Sequence, residues 1–262
     1  MDTAWDWAIR ALVAVPLGLV FGSFLTVAIH RLPRGESLVS PRSRCPSCGT
    51  QILARDNVPV VSWVVLRGRC RTCGARISPV YPLTELAVAG LFVAAALHFS
   101  NGWVAVMMAP FLGLMPAFAV IDLRHRIIPN RLVYPSLLAF AAYLVVANIA
   151  GGGVDLARSG IGLLAFGGGL LVIAVISPRG MGMGDVKLAA LIGLVLGSLG
   201  LRFVGVAAGA AILLGGVGGI VALLAGAGRK QAIPFGPFLA AGALVAAFLG
   251  GELASAYLRL FG

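Results

Sequence analysis

The chain has 262 residues, of which 60% are hydrophobic and 11% are charged, and its mean hydropathy is +1.00. Soluble domains carry about 25% charged residues, so this composition excludes a chain whose whole surface faces water. The formal net charge of +11 raises the question of nucleic-acid binding, which needs basic residues interleaved with aromatic residues on a soluble surface. The sequence contains no such stretch, and we expect no nucleic-acid partner.

Apolar segments follow one another along the chain, and their continuous hydrophobicity indicates helices rather than the alternating strands of a β-barrel. The sixth segment, 188–200, is shorter than the about 20 residues that a full crossing needs. The sequence therefore predicts an all-α polytopic protein of about eight transmembrane helices, with the lipid bilayer as its partner. The predicted spans are 8–29, 81–99, 103–121, 132–149, 159–177, 188–200, 202–225 and 233–258.

The charges that flank these segments predict their orientation. Asp2 and Asp6 precede the first apolar run and Arg31 follows it, the opposite of the charge order in a cleaved signal peptide. We therefore expect a retained first span, 1–29, with the N-terminus outside. On this topology 16 of the 20 basic residues face the cytoplasm, as the positive-inside rule requires. They are Arg31, Arg34, Arg42, Arg44, Arg55, Arg67, Arg69, Arg71, Arg76, Arg124, Arg126, Arg131, Arg179, Lys187, Arg229 and Lys230.

Residues 30–80 form the only sizeable polar segment, a predicted cytoplasmic insert that is too small to fold without a staple. It holds all four cysteines as two Cys-x-x-Cys pairs, Cys45 with Cys48 and Cys70 with Cys73. This spacing predicts a tetrahedral zinc site, and four thiolates without an open position indicate a structural metal. Redox-active or inert thiols are the alternatives, and the reducing cytoplasm disfavours disulfides.

Glycine pairs at GxxxG spacing occur in the second half of the chain, where we expect them to let helix backbones approach each other closely. The pairs are Gly193 with Gly197, Gly205 with Gly209, and Gly215 with Gly219.

Two of the nine acidic residues stand at the predicted cytoplasmic ends of spans. Asp122 ends the third span, and Asp185 precedes the short sixth one. We expect the two carboxyl groups to face each other and to share one proton, since two neighbouring carboxylates do not both ionise easily in a low-dielectric site. One group is then able to activate water while the other protonates a leaving group, which is the chemistry of aspartyl peptide hydrolysis.

Residues that flank Asp185 add two further expectations. Gly182 and Gly184 would let an extended substrate approach the backbone, and Lys187 either tunes Asp185 or marks the membrane boundary. An alternative without catalysis is that Asp122 pairs with Arg124 or Arg126, and Asp185 with Lys187, as boundary ion pairs.

Ordered motifs along nearly the whole chain resemble those of the type IV prepilin leader peptidases, which belong to the GxGD aspartyl membrane proteases. Thr26 departs from the family pattern, in which we expect Asn. The motifs are Phe21–Pro33, the two cysteine pairs, Asn57–Pro59, Leu66–Gly68, Ser78–Pro82, Ile121–Asp122, Ile128–Asn130, Gly182–Leu188 and Ile233–Ala240.

The resemblance implies a bifunctional enzyme of the bacterial cytoplasmic membrane with three parts: a first span (1–29), a methyltransferase-associated insert (30–80) and a peptidase domain (81–262). Such enzymes remove a short basic leader on the cytoplasmic side, and their two aspartates correspond to Asp122 and Asp185. Many members then methylate the new N-terminus with S-adenosylmethionine. The implied substrates are prepilins or pseudopilins of pili, type II secretion or competence systems.

Three alternatives remain open at this point. The first is a peptidase without methyltransferase activity. The second is a transporter whose zinc knuckle docks a cytoplasmic partner, and the third is a presenilin-like protease that cuts within a substrate helix. The sequence assigns no residues to the cofactor site and leaves the oligomeric state open.

Overall fold

Long apolar helices dominate the computed structural model, which describes residues 4–177, 181–226 and 233–261. Within these residues the insert carries two isolated β-bridges and no strand is present. The helices are α1 (Ala4–Arg31), α2 (Val61–Val65), α3 (Val80–His98), α4 (Gly102–His125), α5 (Asn130–Ile149), α6 (Leu156–Leu163), α7 (Gly169–Ile176), α8 (Met183–Gly197), α9 (Leu201–Leu224) and α10 (Gly236–Phe261). Short 3₁₀ turns lie at Leu32–Arg34 and Ala54–Asp56, and a π-helical turn at Leu164–Gly168 joins α6 to α7.

The prediction of an all-α multi-pass protein is confirmed. Among the described residues, seven helical segments are long and apolar enough to cross a membrane, with α6 and α7 counted as one, and α8 is the short eighth helix. Helix α8 begins at Met183 rather than at the predicted 188, because its first turn contains Gly184, Asp185 and Lys187, which hydropathy does not recognise as helix. Asp2, Arg179, Arg229 and Lys230 lie outside the described residues.

Local hydrogen bonds define where α4 begins and ends. The Asn101 side chain accepts hydrogen bonds from the backbone N–H groups of Trp103 (2.9 Å) and Val104 (3.3 Å), as an N-cap does. At the other end, Arg126 adopts a left-handed conformation (φ 55°) and its N–H donates to the Asp122 carbonyl oxygen at 2.8 Å. This cap stops the helix directly after the turn that contains Asp122.

Helix α8 is the buried centre of the C-terminal half. Ten of its 15 residues are buried, because the helix is apolar on all sides and therefore suits an interior position. Its Gly193 and Gly197 pack against the backbone of Gly162 and Arg158, respectively, so this GxxxG pair does bring two helices close together.

The remaining glycine pairs behave differently. The positions of Gly205 and Gly209 in α9 face open space, where an added side chain would meet no neighbour within 4 Å. The close-packing expectation is therefore wrong for that pair. In the third pair, Gly215 lies against Phe235, whereas Gly219 has no such neighbour.

The insert between α1 and α3 lies at one end of the helix bundle. Arg131, at the start of α5, donates to the carbonyl oxygen of Gly35, which follows the 3₁₀ turn after α1 (3.4 Å). Within the insert, Trp63 Nε1 donates to the Ile77 carbonyl oxygen (3.1 Å), which links α2 to the segment that leads into α3. The ends of α1, α4 and the start of α5 therefore meet on the side of the insert.

Candidate active site and metal centre

Asp122 lies in the last turn of α4, and only 5% of its surface is exposed. Its Oδ2 accepts a hydrogen bond from the backbone N–H of Gly236, the first residue of α10, at 2.9 Å. A Cβ atom added to Gly236 would lie 2.7 Å from Oδ2 and 3.0 Å from Cγ of Asp122. The absence of a side chain at Gly236 therefore allows α10 to approach the carboxyl group and to hold one of its oxygens.

Asp185 lies in the first turn of α8 and is half-buried. Its backbone N–H donates to the carbonyl oxygen of Gly182 (3.1 Å), which closes the turn at the start of the helix. The helix start is thus fixed locally, and it presents the carboxyl group at the N-terminal end of a helix dipole, where negative charge is favoured.

The fold brings the two predicted aspartates together. Gly184 packs on Ile128, in the connection after α4, and an added Cβ atom would lie 3.0 Å from Ile128 Cβ. The start of α8 is thereby held against the segment that follows Asp122. The two carboxyl groups are close enough for the charge of Asp122 to act on Asp185. Gly184 and Ile128 pack against each other and hold the start of α8 in place. The expected contact of Gly182 and Gly184 with an extended substrate stays a prediction.

Lys187 ties α8 to α5. Its Nζ donates to Asn130 Oδ1 at 2.8 Å and lies 5.2 Å from the centre of the Tyr134 ring. Boundary ion pairs of Asp122 or Asp185 are not present among the described residues, where the ion pairs are Arg71–Asp56 and Arg158–Asp155. Lys187 is therefore a bridge between two helices beside Asp185.

The four cysteines of the insert form one cluster. Their Sγ atoms all lie within 4.8 Å of one another, and those of Cys45 and Cys73 are 3.8 Å apart. A tetrahedral zinc with Zn–S bonds of about 2.3 Å requires sulfur atoms about 3.8 Å apart. The cluster therefore fits one tetrahedral metal ion, with Cys45 buried and the other three at least partly exposed.

The two halves of this cluster have the same backbone geometry. In the first, Cys45 N–H donates to Thr50 O (2.9 Å), and in the second, Cys70 N–H donates to Ala75 O (2.8 Å). Gly49 and Gly74 both have φ 70°, a conformation that favours glycine. Each Cys-x-x-Cys-Gly unit is thus a knuckle that turns both thiols to one side.

An ion pair joins the second knuckle to the 3₁₀ turn at Ala54–Asp56. Arg71 Nε and Nη2 donate to the two carboxylate oxygens of Asp56 at 2.8 Å and 2.7 Å. The hydrogen bonds from Arg71 lower the pKa of Asp56, and the same pair raises the pKa of Arg71. The two parallel hydrogen bonds of this pair orient the knuckle.

Glu85 of α3 connects the insert with the membrane helices. Its Oε2 accepts a hydrogen bond from the Val60 N–H at 2.7 Å, and only 7% of the residue is exposed. Val60 has φ 61°, which is strained for a β-branched residue. A buried carboxyl group therefore holds an unfavourable backbone conformation in the insert.

Sequence reasoning did not assign Gly236, Asn130 or Glu85 to the site. Gly236 lies in the Ile233–Ala240 motif and Asn130 lies in the Ile128–Asn130 motif. Membership in these motifs is the only sequence feature that pointed to the two residues. Neither motif identifies which atom contacts an aspartate or a lysine, because that depends on how α10 and α5 pack.

These features define a multi-pass membrane protein with two neighbouring aspartates and a four-cysteine insert at the same end of its helices. The family model of the Bacterial Peptidase A24 N-terminal domain matches residues 17–99, which include all four cysteines. The model of the Type IV leader peptidase family matches residues 109–251, which include both aspartates. The chain belongs to the Type IV leader peptidase family.

Curated relatives support the same assignment. A protein of Bacillus subtilis (strain 168) named prepilin leader peptidase/N-methyltransferase is 35% identical over 247 residues, covering 93% of this chain and 96% of the relative. Proteins of the same name from Aeromonas hydrophila and Stutzerimonas stutzeri are each 34% identical and cover 97% and 95% of this chain, and 96% and 93% of their own lengths. No solved structure matches the chain.

Proposed function

We propose that the protein is a membrane aspartyl endopeptidase that removes the leader of prepilins or pseudopilins and methylates the new N-terminus. The observation that carries the peptidase proposal is the buried Asp122 carboxyl group, held by the Gly236 N–H and within electrostatic reach of Asp185. The names of the curated relatives support both activities.

The two carboxyl groups divide the chemistry of hydrolysis. One, as carboxylate, takes a proton from water, and the resulting hydroxide oxygen bonds to the carbonyl carbon of the scissile peptide. The other, protonated, donates its proton to the amide nitrogen as the C–N bond breaks. The Gly236 N–H restrains one Asp122 oxygen, so that the carboxyl group is pre-positioned before the substrate arrives.

Zinc is proposed as the structural metal of Cys45, Cys48, Cys70 and Cys73, since four thiolates complete its tetrahedral coordination and leave no position for a substrate. The metal would staple the insert (30–80), which is too small to be stable on a core of its own.

A cavity of about 410 Å³ beside the second knuckle fits S-adenosylmethionine in size, since ligand sites usually measure about 300–1,000 Å³. Trp63 lines this cavity, and the guanidinium groups of Arg67, Arg69 and Arg76 offer donors for the carboxylate of the cofactor. The cofactor would supply an electrophilic methyl group for the new N-terminal amine. The insert would thus be the methyltransferase-associated part, and residues 81–262 the peptidase part.

The proposed location is the bacterial inner membrane, with the N-terminus outside and with the insert and both aspartates facing the cytoplasm. The positive-inside distribution of the basic residues supports this orientation. The substrates would come from a type IV pilus, type II secretion or competence system. A membrane-impermeant maleimide should label Ser100→Cys, between α3 and α4, in intact cells and should leave Leu53→Cys of the insert unlabelled.

The decisive experiment incubates the purified protein with a prepilin and compares wild type, Asp122→Asn and Asp185→Asn. Mass spectrometry reads the loss of the leader and the added methyl group separately. We expect wild type to cut and both folded variants to be inactive. Normal cleavage by either variant would contradict the assignment of the aspartates. Cleavage by wild type without an added methyl group would leave a peptidase without methyltransferase activity.

A further inference from the structure

A second, smaller cavity lies where α1 and α4 end and α3 begins, on the side of the insert. Its volume is about 200 Å³, below the about 300 Å³ at which sites for larger ligands begin. The polar side chains that line it are arginines, histidines and residues that carry hydroxyl groups. The polar lining residues are His30, Arg34, Arg124 and His125, together with Thr26, Ser78, Tyr81 and Thr84.

The charge of this cavity is positive. None of its lining residues is acidic. The negative charge of Glu36 is close enough to His30 to interact with it electrostatically. The carboxyl group of Asp122 accepts a hydrogen bond from the Gly236 N–H of α10. Among the described residues, Glu36 therefore offsets part of the positive charge of the cavity, on the side where His30 lies.

The two arginines of the cavity have different surroundings. Arg34 Nη1 donates hydrogen bonds to His30 Nδ1, at 3.0 Å, and to the His30 carbonyl oxygen, and these bonds orient its guanidinium group. Arg124 has no hydrogen-bond or ion-pair partner in the part of the chain that the structure describes. One guanidinium group is thus pre-oriented and the other is available to a ligand.

The start of α3 adds to the positive potential. Ser78, just before α3, accepts a hydrogen bond at its Oγ from the Val80 N–H (3.3 Å), and it lines the cavity together with Val80, Tyr81 and Thr84 of α3. The N-terminal end of a helix carries a partial positive charge that favours anions. The hydroxyl groups of Thr26 and Thr84 donate to carbonyl oxygens of their own helices. The cavity therefore combines two guanidinium groups and a helix N-terminus with the hydroxyl groups of Ser78 and Tyr81, which is a chemistry suited to a phosphate group.

The position of the cavity selects the source of that phosphate. It lies at the ends of three helices that are apolar enough to cross a bilayer, which is the depth of lipid headgroups. Leu83 and Leu123, each 61% exposed, occupy the same turns of α3 and α4 and offer apolar surface for acyl chains. We propose that this cavity binds the headgroup phosphate of an anionic phospholipid, with Arg34 and Arg124 as its cationic partners.

Native mass spectrometry of the full chain in neutral detergent tests this proposal. The delipidated protein is titrated with phosphatidylglycerol, with phosphatidylcholine and with phosphatidylglycerol in the presence of inorganic phosphate. We expect one tightly bound phosphatidylglycerol per chain, weaker binding of phosphatidylcholine and no displacement by an equal concentration of phosphate. Arg34→Gln/Arg124→Gln should raise the dissociation constant of phosphatidylglycerol about 30-fold, since each juxtamembrane arginine contributes about fivefold.

The matched control is Arg42→Gln/Arg55→Gln, which removes two charges from exposed positions of the insert outside the cavity. It should leave the dissociation constant within about twofold of wild type, because charges that do not contact the phosphate are screened. Arg124→Gln alone keeps the Arg34–His30 hydrogen bond and should still weaken binding about fivefold. Equal losses in the control and in the cavity variants would overturn the proposal, and so would displacement of the lipid by inorganic phosphate.

Discussion

The contact between Gly236 and Asp122 shows how one backbone position controls a carboxyl group. The Gly236 N–H lies 2.9 Å from Asp122 Oδ2, and no other residue type fits there without moving α10 or the carboxyl group. A glycine at the start of a helix thereby serves both packing and hydrogen bonding. Its role depends on the absence of a side chain rather than on a functional group.

Gly236→Ala should lower kcat/KM for leader cleavage about 100-fold. The added Cβ atom would lie 2.7 Å from Asp122 Oδ2, so the carboxyl group has to shift, and a displacement of about 1 Å at a reacting group costs about that factor. Kinetics with a prepilin peptide in detergent measure the effect.

Gly251→Ala is the matched control for this substitution, since Gly251 lies on the same helix and an added Cβ atom would meet no neighbour within 4 Å. We expect its activity to equal that of wild type. If Gly236→Ala cuts at the wild-type rate while it remains folded, the positioning role of Gly236 is wrong.

At the scale of elements, α8 and α5 are joined by the Lys187–Asn130 hydrogen bond one half-turn after Asp185. Hydrogen bonds that involve a charged group contribute about 1.5–3 kcal/mol, and this solvent-exposed one belongs at or below the low end of that range. The bond therefore stabilises the register in which Asp185 comes near Asp122. We therefore expect Lys187 to position the start of α8, which agrees better with an influence on Asp185 than with a residue that only marks the membrane boundary.

Lys187→Met should lower kcat/KM for cleavage about tenfold or more, because the loss of a charged hydrogen bond loosens the start of α8. Lys187→Arg keeps a donor for Asn130 and should recover most of the activity. The measurement is the same cleavage assay, with thermal unfolding as a check on folding.

Arg202→Met provides the comparison for Lys187→Met. Arg202 also lies over an aromatic ring, 5.2 Å from the centre of Phe203, but at the start of α9. Its substitution removes a similar contact away from the aspartates and should leave cleavage unchanged. An equal loss in both variants would show that Lys187 acts on overall stability only.

The two cysteine knuckles bring their four thiols together in one cluster. Cys73→Ser should abolish the retention of one zinc ion per chain, measured by elemental analysis of the purified protein. Structural zinc contributes about 10–16 kcal/mol of binding free energy to the folding of small domains. The insert should therefore become sensitive to proteolysis while the membrane helices stay intact.

Ser47→Ala is the control, because it changes the same knuckle and removes no thiol. It should retain zinc and resist proteolysis as wild type does. Full zinc content in Cys73→Ser would show that the four-cysteine cluster is not the metal site.

At the scale of the whole molecule, Glu85 links the insert to the helix bundle through the N–H of the strained Val60. Glu85→Leu would leave this partly buried donor without its acceptor, at a cost near the low end of about 1–3 kcal/mol. We expect faster hydrogen exchange of residues 58–66, read by mass spectrometry on the full-length protein. Glu85→Gln keeps an acceptor and should restore most of the protection.

Glu252→Leu removes an exposed carboxyl group from α10 and serves as the reference for Glu85→Leu. Its exchange pattern in the insert should match that of wild type. Unchanged exchange in Glu85→Leu would mean that other contacts hold the insert on the bundle.

Much of this molecule was predictable because the bilayer and the metal impose simple rules. Uninterrupted apolar runs identified the long helices, since lipid allows no unpaired backbone groups. The two Cys-x-x-Cys pairs predicted a cluster because a short spacing already places both thiols on one side. Helix α8 was predicted to begin five residues too late, at 188 rather than at Met183, since Gly184, Asp185 and Lys187 lower the hydropathy of its start.

The sequence by itself determined the all-helical membrane fold, the four-cysteine cluster and the two aspartates that stand at helix ends. Only the tertiary structure decided that Gly236 donates to Asp122, that Lys187 bonds to Asn130 and that Glu85 holds Val60. The physical reason is the distance along the chain: these partners are 114, 57 and 25 residues apart. Helix periodicity and local spacing carry no information on which helices pack side by side, and that packing sets every one of these contacts.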